Sequence, residues 1–213
     1  KFEGKGWEGE LNWRDKIGSI TYHLGGTVTY ATNKLIDLGT TSVMGSGFKS
    51  LMQGYPLNSY FGLRYVGKIQ NEEQLEKYTK RYLNGNTIGL TSNIRLGDNM
   101  FEDVNKDGKL TDEDYIYLGT DDPKLSYSFN AGLEWNGFDV SVVFQGVGQR
   151  TIFRDGGWRI PLNAVWLNST TQGIGNTWTP ENRDAYYPSL TIKHGDVKNY
   201  NYQCSSWSVE DGS

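Results

Sequence analysis

Twelve consecutive residues, from Asp103 to Asp114, have the side chains and spacing of a calcium-binding loop. Oxygen-bearing side chains fall at loop positions 1, 3, 5, 9 and 12 and glycine at position 6, as in an EF-hand-type loop. Gly108 permits the sharp turn that such a loop requires. The predicted ligands are the side chains of Asp103, Asn105, Asp107, Thr111 (directly or through a water) and Asp114, with the backbone carbonyl of Lys109.

The type of loop and its role follow from what surrounds it. Asn105 at position 3 and Asp114 at position 12 resemble the dockerin variant more than the calmodulin variant. We predict a Ca²⁺ ion in this loop. Its role would be structural, because nothing nearby resembles a catalytic base. The alternative interpretation is an acidic turn without a metal.

Composition indicates an all-β chain. The 213 residues include 27 Gly, 14 Tyr and 7 Trp, while strong helix formers are scarce. The net charge of -4 gives no reason to expect nucleic acid. The sequence contains no run of about 18 apolar residues, so it predicts no membrane helix. Cys204 is the only cysteine, so no disulfide can form within the chain. The first residues read as mid-strand and the last as cut short, so we expect a fragment.

Two stretches alternate between apolar and polar residues, as half-buried strands do. The first runs from Ser19 to Tyr30. The second runs from Leu125 to Val147 and contains Asn136-Gly137, a strong signal for a two-residue hairpin. Its arms of about ten residues have the length of tilted membrane-spanning strands. A soluble β-sandwich would show the same periodicity.

Connections of very different length separate these strands. Tight turns near Lys16 and at Asn136-Gly137 alternate with long connections at residues 31–124 and 148–205. Short turns on one side and long loops on the other are typical of outer-membrane barrels. In the first connection, residues 72–82 have helical spacing, with Asn71 as a cap. The aromatic residues of the second connection are candidates for ligand or partner contact, or for a small core within the loop: Trp158, Trp166, Trp178, Tyr186 and Tyr187.

Several segments, taken in order, resemble the C-terminal barrel half of SusC/RagA-type TonB-linked outer-membrane proteins of Bacteroidetes. The resemblance covers most of the chain, and the order and spacing of its segments are more specific than any one motif. The segments are Gly6–Trp13, Gly54–Gly62, Asp103–Asp114, Gly119–Leu125, Gly132–Gly146, Asn176–Asn182 and Val209–Ser213.

The resemblance implies that residues 1–213 are part of a 22-stranded transmembrane β-barrel in the bacterial outer membrane, with the two long connections as extracellular loops. It implies a TonB-dependent importer of nutrient oligomers, either glycans or peptides, with a SusD-like surface lipoprotein as a lid. The partners would also include outer-membrane lipid and the TonB complex, reached through an N-terminal region that this chain lacks together with the plug domain.

Two other functions are weighed against an importer. One is a soluble, calcium-stabilised β-domain that binds carbohydrate. The other is an enzyme, which we do not expect. A glycoside hydrolase needs two opposed carboxylates, and no sequence context singles out such a pair. The chain also contains no nucleophile elbow, zinc pair or phosphate loop.

Overall fold

The computed structural model describes residues 1–39, 43–44 (backbone only), 49–82, 94–161, 170–190 and 200–213. The chain forms two compact units. Unit 1 contains Lys1–Ser59, Gly119–Ile152 and Asp211–Ser213, and unit 2 contains Tyr60–Leu118 and Phe153–Glu210. In chain order the strands are β1 (Phe2–Ile17), β2 (Ile20–Leu35), β3 (Val43–Met44), β4 (Lys49–Met52), β5 (Ser59–Gly62), β6 (Tyr65–Lys68), β7 (Asn99–Phe101), β8 (Ile116–Thr120), β9 (Leu125–Trp135), β10 (Phe138–Gly148), β11 (Thr151–Phe153) and β12 (Val209–Asp211), and helix α1 (Glu72–Tyr82) lies between β6 and β7.

Unit 1 is built on an antiparallel four-stranded sheet with the order β1-β2-β9-β10. Gly18-Ser19 joins β1 to β2, and Asn136-Gly137 joins β9 to β10. Positive φ angles of 63° at Gly18, 47° at Asn136 and 86° at Gly137 allow these tight turns. The two predicted hairpins are therefore confirmed. The described strands form an open sheet and do not close a barrel.

The strands are longer than the sequence pattern predicts. The tight turn predicted near Lys16 lies at Gly18-Ser19, because β1 continues to Ile17. Residues 31–35 were expected to begin the first long loop but belong to β2, and Gly148 belongs to β10. Backbone pairing continues from Ile17–Ile20 to Phe2–Leu35. Backbone hydrogen bonds do not need the apolar alternation on which the prediction relied.

One face of the sheet is apolar and exposed. Leu24, Ala131 and Val142 lie side by side across β2, β9 and β10, next to Trp13 on β1. Along this face Leu11 is 75% exposed, and the other large exposed residues are Trp7, Trp13, Ile17, Leu24, Tyr127, Phe129, Leu133, Trp135, Phe138, Val140, Val142 and Phe144. A protein in water rarely exposes so large an apolar surface, so this face requires an apolar environment or a partner.

The opposite face is mostly polar. Glu10, Thr27, Ser128 and Gln145 form one row across all four strands, and the Thr27 and Ser128 hydroxyls are hydrogen bonded at 2.7 Å. Within the described residues, no helix is long and apolar enough to cross a membrane.

Unit 2 is built from described parts of both long connections. Helix α1 has the predicted position, and Asn71 Oδ1 caps it by accepting from the Gln74 amide at 2.9 Å. Tyr200, from the second connection, donates to the Asn99 carbonyl at 2.8 Å, and its hydroxyl lies 2.6 Å from that of Tyr78 on α1. The core contains Leu63, Ile69, Tyr78, Tyr82, Ile94, Phe101, Leu110 and Tyr200.

The remaining strands are short. β6 pairs with β7 and β3 with β4, while β5 neighbours β8 and β11 neighbours β12. The long connection predicted at residues 31–124 is therefore not all loop, because β4 and β5 lie within it. Strands of two to four residues are too short to show periodicity in the sequence.

Candidate metal loop and loop aromatics

The twelve-residue loop lies in unit 2, between β7 and β8. Lys106 and Gly108 have φ angles of 63° and 85°, which places the sharpest bend where the sequence predicts it. At its end, Thr111 and Asp114 form a reciprocal capping box around a short 3-10 helix, Asp112–Asp114. The C-terminal part of the loop is therefore held by its own side chains.

Three acidic or amide side chains curl the first half of the loop. Asn105 Oδ1 accepts from the Asp107 amide at 2.9 Å, and Asp107 Oδ1 accepts from the Lys109 amide at 2.8 Å. Asp103 Oδ2 accepts from the Gly108 amide at 2.9 Å. Side chains that bond their own backbone two residues onward produce tight turns, and Asn105 and Asp107 do so here.

Asp103 is the residue whose surroundings most clearly favour a cation. Its side chain is fully buried, and its Oδ1 atom has no hydrogen-bond partner among the described residues. Its Oδ2 atom lies 3.2 Å from the Arg81 guanidinium of α1. Burial opposes the charged carboxylate, but the Gly108 amide and Arg81 outweigh burial and lower its pKa. A charged, buried oxygen without a partner is a good ligand for a hard cation.

Asp114 fits the predicted site only in part. It is fully buried, and its Oδ1 atom accepts from the Val104 and Asn105 amides at 2.8 and 3.2 Å. Its Oδ2 atom accepts only from the Thr111 amide, at 3.0 Å, which leaves a lone pair for a metal. In the described part of the chain, no three His, Cys, Asp or Glu side chains are arranged to hold a metal ion. The loop is thus curled as predicted, but its carboxylates do not yet converge.

The predicted contact aromatics fall into two groups. Trp158 is 64% exposed and Tyr186 is 38% exposed. Trp178 and Tyr187 are buried within unit 2, where Trp178 Nε1 donates to Gln70 Oε1 at 3.0 Å and the Tyr187 hydroxyl donates to the Trp158 carbonyl at 2.8 Å. Trp166 lies outside the described residues. Only Trp158 and Tyr186 have the exposure that ligand contact requires.

Sequence reasoning missed a cluster around Arg154. Its guanidinium lies 4.5 Å from the Tyr186 ring centre and 4.6 Å from that of Trp207, and its Nε is 2.9 Å from Glu210. Such cation–π contacts hold a charged group against aromatic faces. Arg154 and Trp207 are far apart in the sequence and share no motif, so no local signal could have found the pair.

Comparison with known proteins gives relatives over the whole chain, although no family model matches it. TonB-dependent receptor P26 of Formosa agariphila is 24% identical over 99% of this chain and 21% of its own length. TonB-dependent receptor P3 of the same organism is 24% identical over 100% of this chain and 20% of its own length. The chain thus spans about a fifth of the curated relatives that it matches.

Solved structures have the same fold. The RagAB peptide importer in its open-open state superposes with a TM-score of 0.63, and the RagAB peptide transporter with a TM-score of 0.68. In both comparisons the identity is 13%, and the match covers 99% of this chain and 21% of the other. At this identity the likeness concerns the fold, and it confirms the predicted barrel strands.

Proposed function

We propose that the chain is a segment of a SusC/RagA-type TonB-dependent receptor of the bacterial outer membrane and that it forms part of the wall of a nutrient importer; its curated relatives and its fold support this. The observation that carries this proposal is the four-stranded sheet with one exposed apolar face and one polar face. Membrane-spanning strands alternate in this way between lipid and a wet interior. The alternative function is that of a soluble β-domain that binds carbohydrate. Such a domain would be a β-sandwich, and it would need a second sheet to cover the apolar face.

The polar face would line the interior of the barrel. The hydroxyl, amide and carboxylate groups of Glu10, Asn12, Thr27, Ser128 and Gln145 offer hydrogen bonds across the sheet. Such groups would form hydrogen bonds with water in the barrel interior. Asn136-Gly137 would lie on the periplasmic side of the membrane.

The cargo and partners proposed for the intact receptor follow its relatives. The cargo is a nutrient oligomer, either a peptide or a glycan, and the RagAB structures are described as a peptide importer and transporter. A SusD-like surface lipoprotein would cover the outer loops, and the TonB complex would supply energy. Among the predicted contact aromatics that the structure describes, Trp158 and Tyr186 are exposed and so are available for such contacts.

The loop at residues 103–114 would hold a structural Ca²⁺. Asp103, Asn105, Asp107, Thr111 and Asp114 would supply side chains, and Lys109 its carbonyl. The partnerless Asp103 Oδ1 and the open lone pair of Asp114 Oδ2 support this assignment. A bound cation would draw the carboxylates together and stiffen the connection between β7 and β8.

Two adjacent valines provide a test of the barrel wall. Val142 lies on the apolar face and Val143 on the polar face, and both are exposed. In the intact receptor in outer-membrane vesicles, Val143→Cys should react with a water-soluble maleimide and Val142→Cys only with an apolar one. The native Cys204 is buried and gives little background. Equal reaction of both variants with the water-soluble reagent would refute the membrane assignment.

Import itself needs a separate assay. Cells that express the intact receptor should take up a labelled oligopeptide or oligosaccharide in a TonB-dependent manner. Loss of uptake on deletion of TonB, with unchanged receptor abundance, is the expected result. TonB-independent uptake would contradict the proposal.

A further inference from the structure

A cavity of about 520 Å³ lies within unit 2, between α1, β7 and the start of the loop at residues 103–114. Tyr78, Tyr82 and Phe101 form its inner wall and are almost fully buried. Val66 and Met100 stand at the more exposed side. A cavity of this size and apolar character can enclose a side chain or a small ligand. Neither the barrel wall nor the metal loop explains it.

The charges around this cavity are unbalanced. Two acidic residues line it and both are already paired: Glu102 with Arg64 at 2.7 Å, and Asp103 with Arg81 at 3.2 Å. Lys77 and Lys106 also line the cavity, and within the described residues neither ammonium group lies in an ion pair. The rim therefore carries two positive charges that a ligand can neutralise.

We propose that this cavity binds an acidic peptide segment, with an apolar side chain inside and a carboxylate between Lys77 and Lys106. Met100 favours an apolar side chain of variable shape, because its thioether stem adapts to irregular partners. Sugar rings usually stack on exposed aromatic faces, whereas Tyr78 and Phe101 are 8% and 1% exposed. The combination of apolar walls and rim cations thus selects a peptide over an acidic oligosaccharide.

Arg81 contributes to the site without being its anion anchor. Its guanidinium lies 5.3 Å from the Tyr82 ring centre and is paired with Asp103. These contacts hold the end of α1 against the loop and so keep Lys77 and Lys106 on one rim. Because α1 and the loop are fixed to each other in this way, Lys77 and Lys106 should move little when a ligand binds. This lowers the entropy cost of binding.

The inference goes beyond the import function, because it concerns one binding site and does not depend on transport. Its test uses the intact receptor in detergent and isothermal titration with acetyl-Leu-Phe-Asp as the probe. A second probe, acetyl-Leu-Phe-Asn-amide, has nearly the same shape but no carboxylate. Trigalacturonate serves as the acidic sugar. Each titration is run in buffer with EDTA and repeated with calcium.

The variants are Lys77→Gln and Lys106→Asn, with Lys80→Gln as the matched control. Asn is chosen at position 106 because it tolerates the positive φ of this residue. Lys80 is an exposed residue of α1 outside the cavity lining. Each rim variant should weaken binding of the acidic peptide about three- to fivefold, as expected for a partly exposed ion pair. Lys80→Gln should bind as the unmodified receptor does.

The outcomes separate clearly. Binding of the acidic peptide in either buffer, weakened by both rim variants and by the amidated probe, supports the proposal. No binding in either buffer overturns it, as does an equal loss with Lys80→Gln. Tighter binding of trigalacturonate than of the peptide overturns the peptide assignment. A receptor that imports nothing yet binds the peptide would refute the import proposal and leave this site standing.

Discussion

Asp103→Asn is the sharpest perturbation of the proposed calcium loop. The substitution keeps the shape of the side chain but removes its charge. The Asp103 side chain is buried, with one oxygen bonded to Gly108 and Arg81 and the other without a partner. An asparagine oxygen can still accept from Gly108, so the curl of the loop should survive. The atom that replaces Asp103 Oδ1 would then be either an amide nitrogen, which cannot bind a cation, or a neutral oxygen, which binds a cation less strongly than a carboxylate does.

The expected loss in the free energy of local unfolding has two parts. Without calcium, the loss is the contribution of the ion pair between Asp103 and Arg81, which is less than about 1 kcal/mol because the arginine is half exposed. With calcium at about 100 times its dissociation constant, binding stabilises the loop by about 2.7 kcal/mol. If Asn weakens binding about a hundredfold, the remaining stabilisation is about 0.4 kcal/mol. The calcium-dependent loss is therefore about 2.3 kcal/mol.

Hydrogen exchange of the amides at residues 103–114 measures this loss, because it reports local opening free energies. The intact receptor is compared with and without calcium. Asp112→Asn is the matched control, since Asp112 lies in the same loop, is exposed and is not a predicted ligand. We expect calcium to protect the unmodified loop and the control but not Asp103→Asn. Equal protection of all three would refute the ligand assignment.

Three further predictions concern other parts of the molecule. Val142→Arg should destabilise the receptor in lipid by about 2–4 kcal/mol, while Val143→Arg should cost far less, as measured by urea unfolding; equal costs would contradict the face assignment. Tyr200→Phe removes a buried hydroxyl bonded to Asn99 and should lower the free energy of local opening of unit 2 by about 1–3 kcal/mol. Hydrogen exchange measures this change, and the control Tyr22→Phe should show none of it. Because the pKa of Asp103 is lowered, its contribution should be complete above the unfolded-state pKa of about 4 and lost as pH falls through the lower folded-state pKa; calcium protection that is lost while the pH is still above about 4 would contradict this.

The sheet of unit 1 was predictable because its information is local. Alternation over Ser19–Tyr30 and Leu125–Val147 assigned the faces, and Asn136-Gly137 supplied the turn. The pairing of β2 with β9 was not predictable in this way, since about ninety residues separate them. The resemblance to a barrel family supplied the long-range order that the local pattern lacks.

The long connections show what local patterns leave out. Residues 31–124 and 148–205 have little periodicity, yet they contribute a shared core in which Tyr78, Asn99 and Tyr200 meet. Asn99 also bonds Asn201 twice, at 2.8 Å each. These contacts join short segments through single side chains, and such contacts produce no repeating signal. The twelve-residue loop could be predicted because calcium-binding loops have a fixed spacing of ligands within one segment.

Unit 2 gives the loop at residues 103–114 a role that spacing alone does not reveal. Asp103, its first predicted ligand, is bound by Arg81 of α1, and α1 in turn packs through Tyr78 onto Tyr200 of the second connection. A cation that fixes Asp103 would therefore act on both long connections, although its predicted ligands all come from one. A bound cation would thus stiffen both long connections, because buried Asp103 holds Arg81 and buried Tyr200 holds Tyr78.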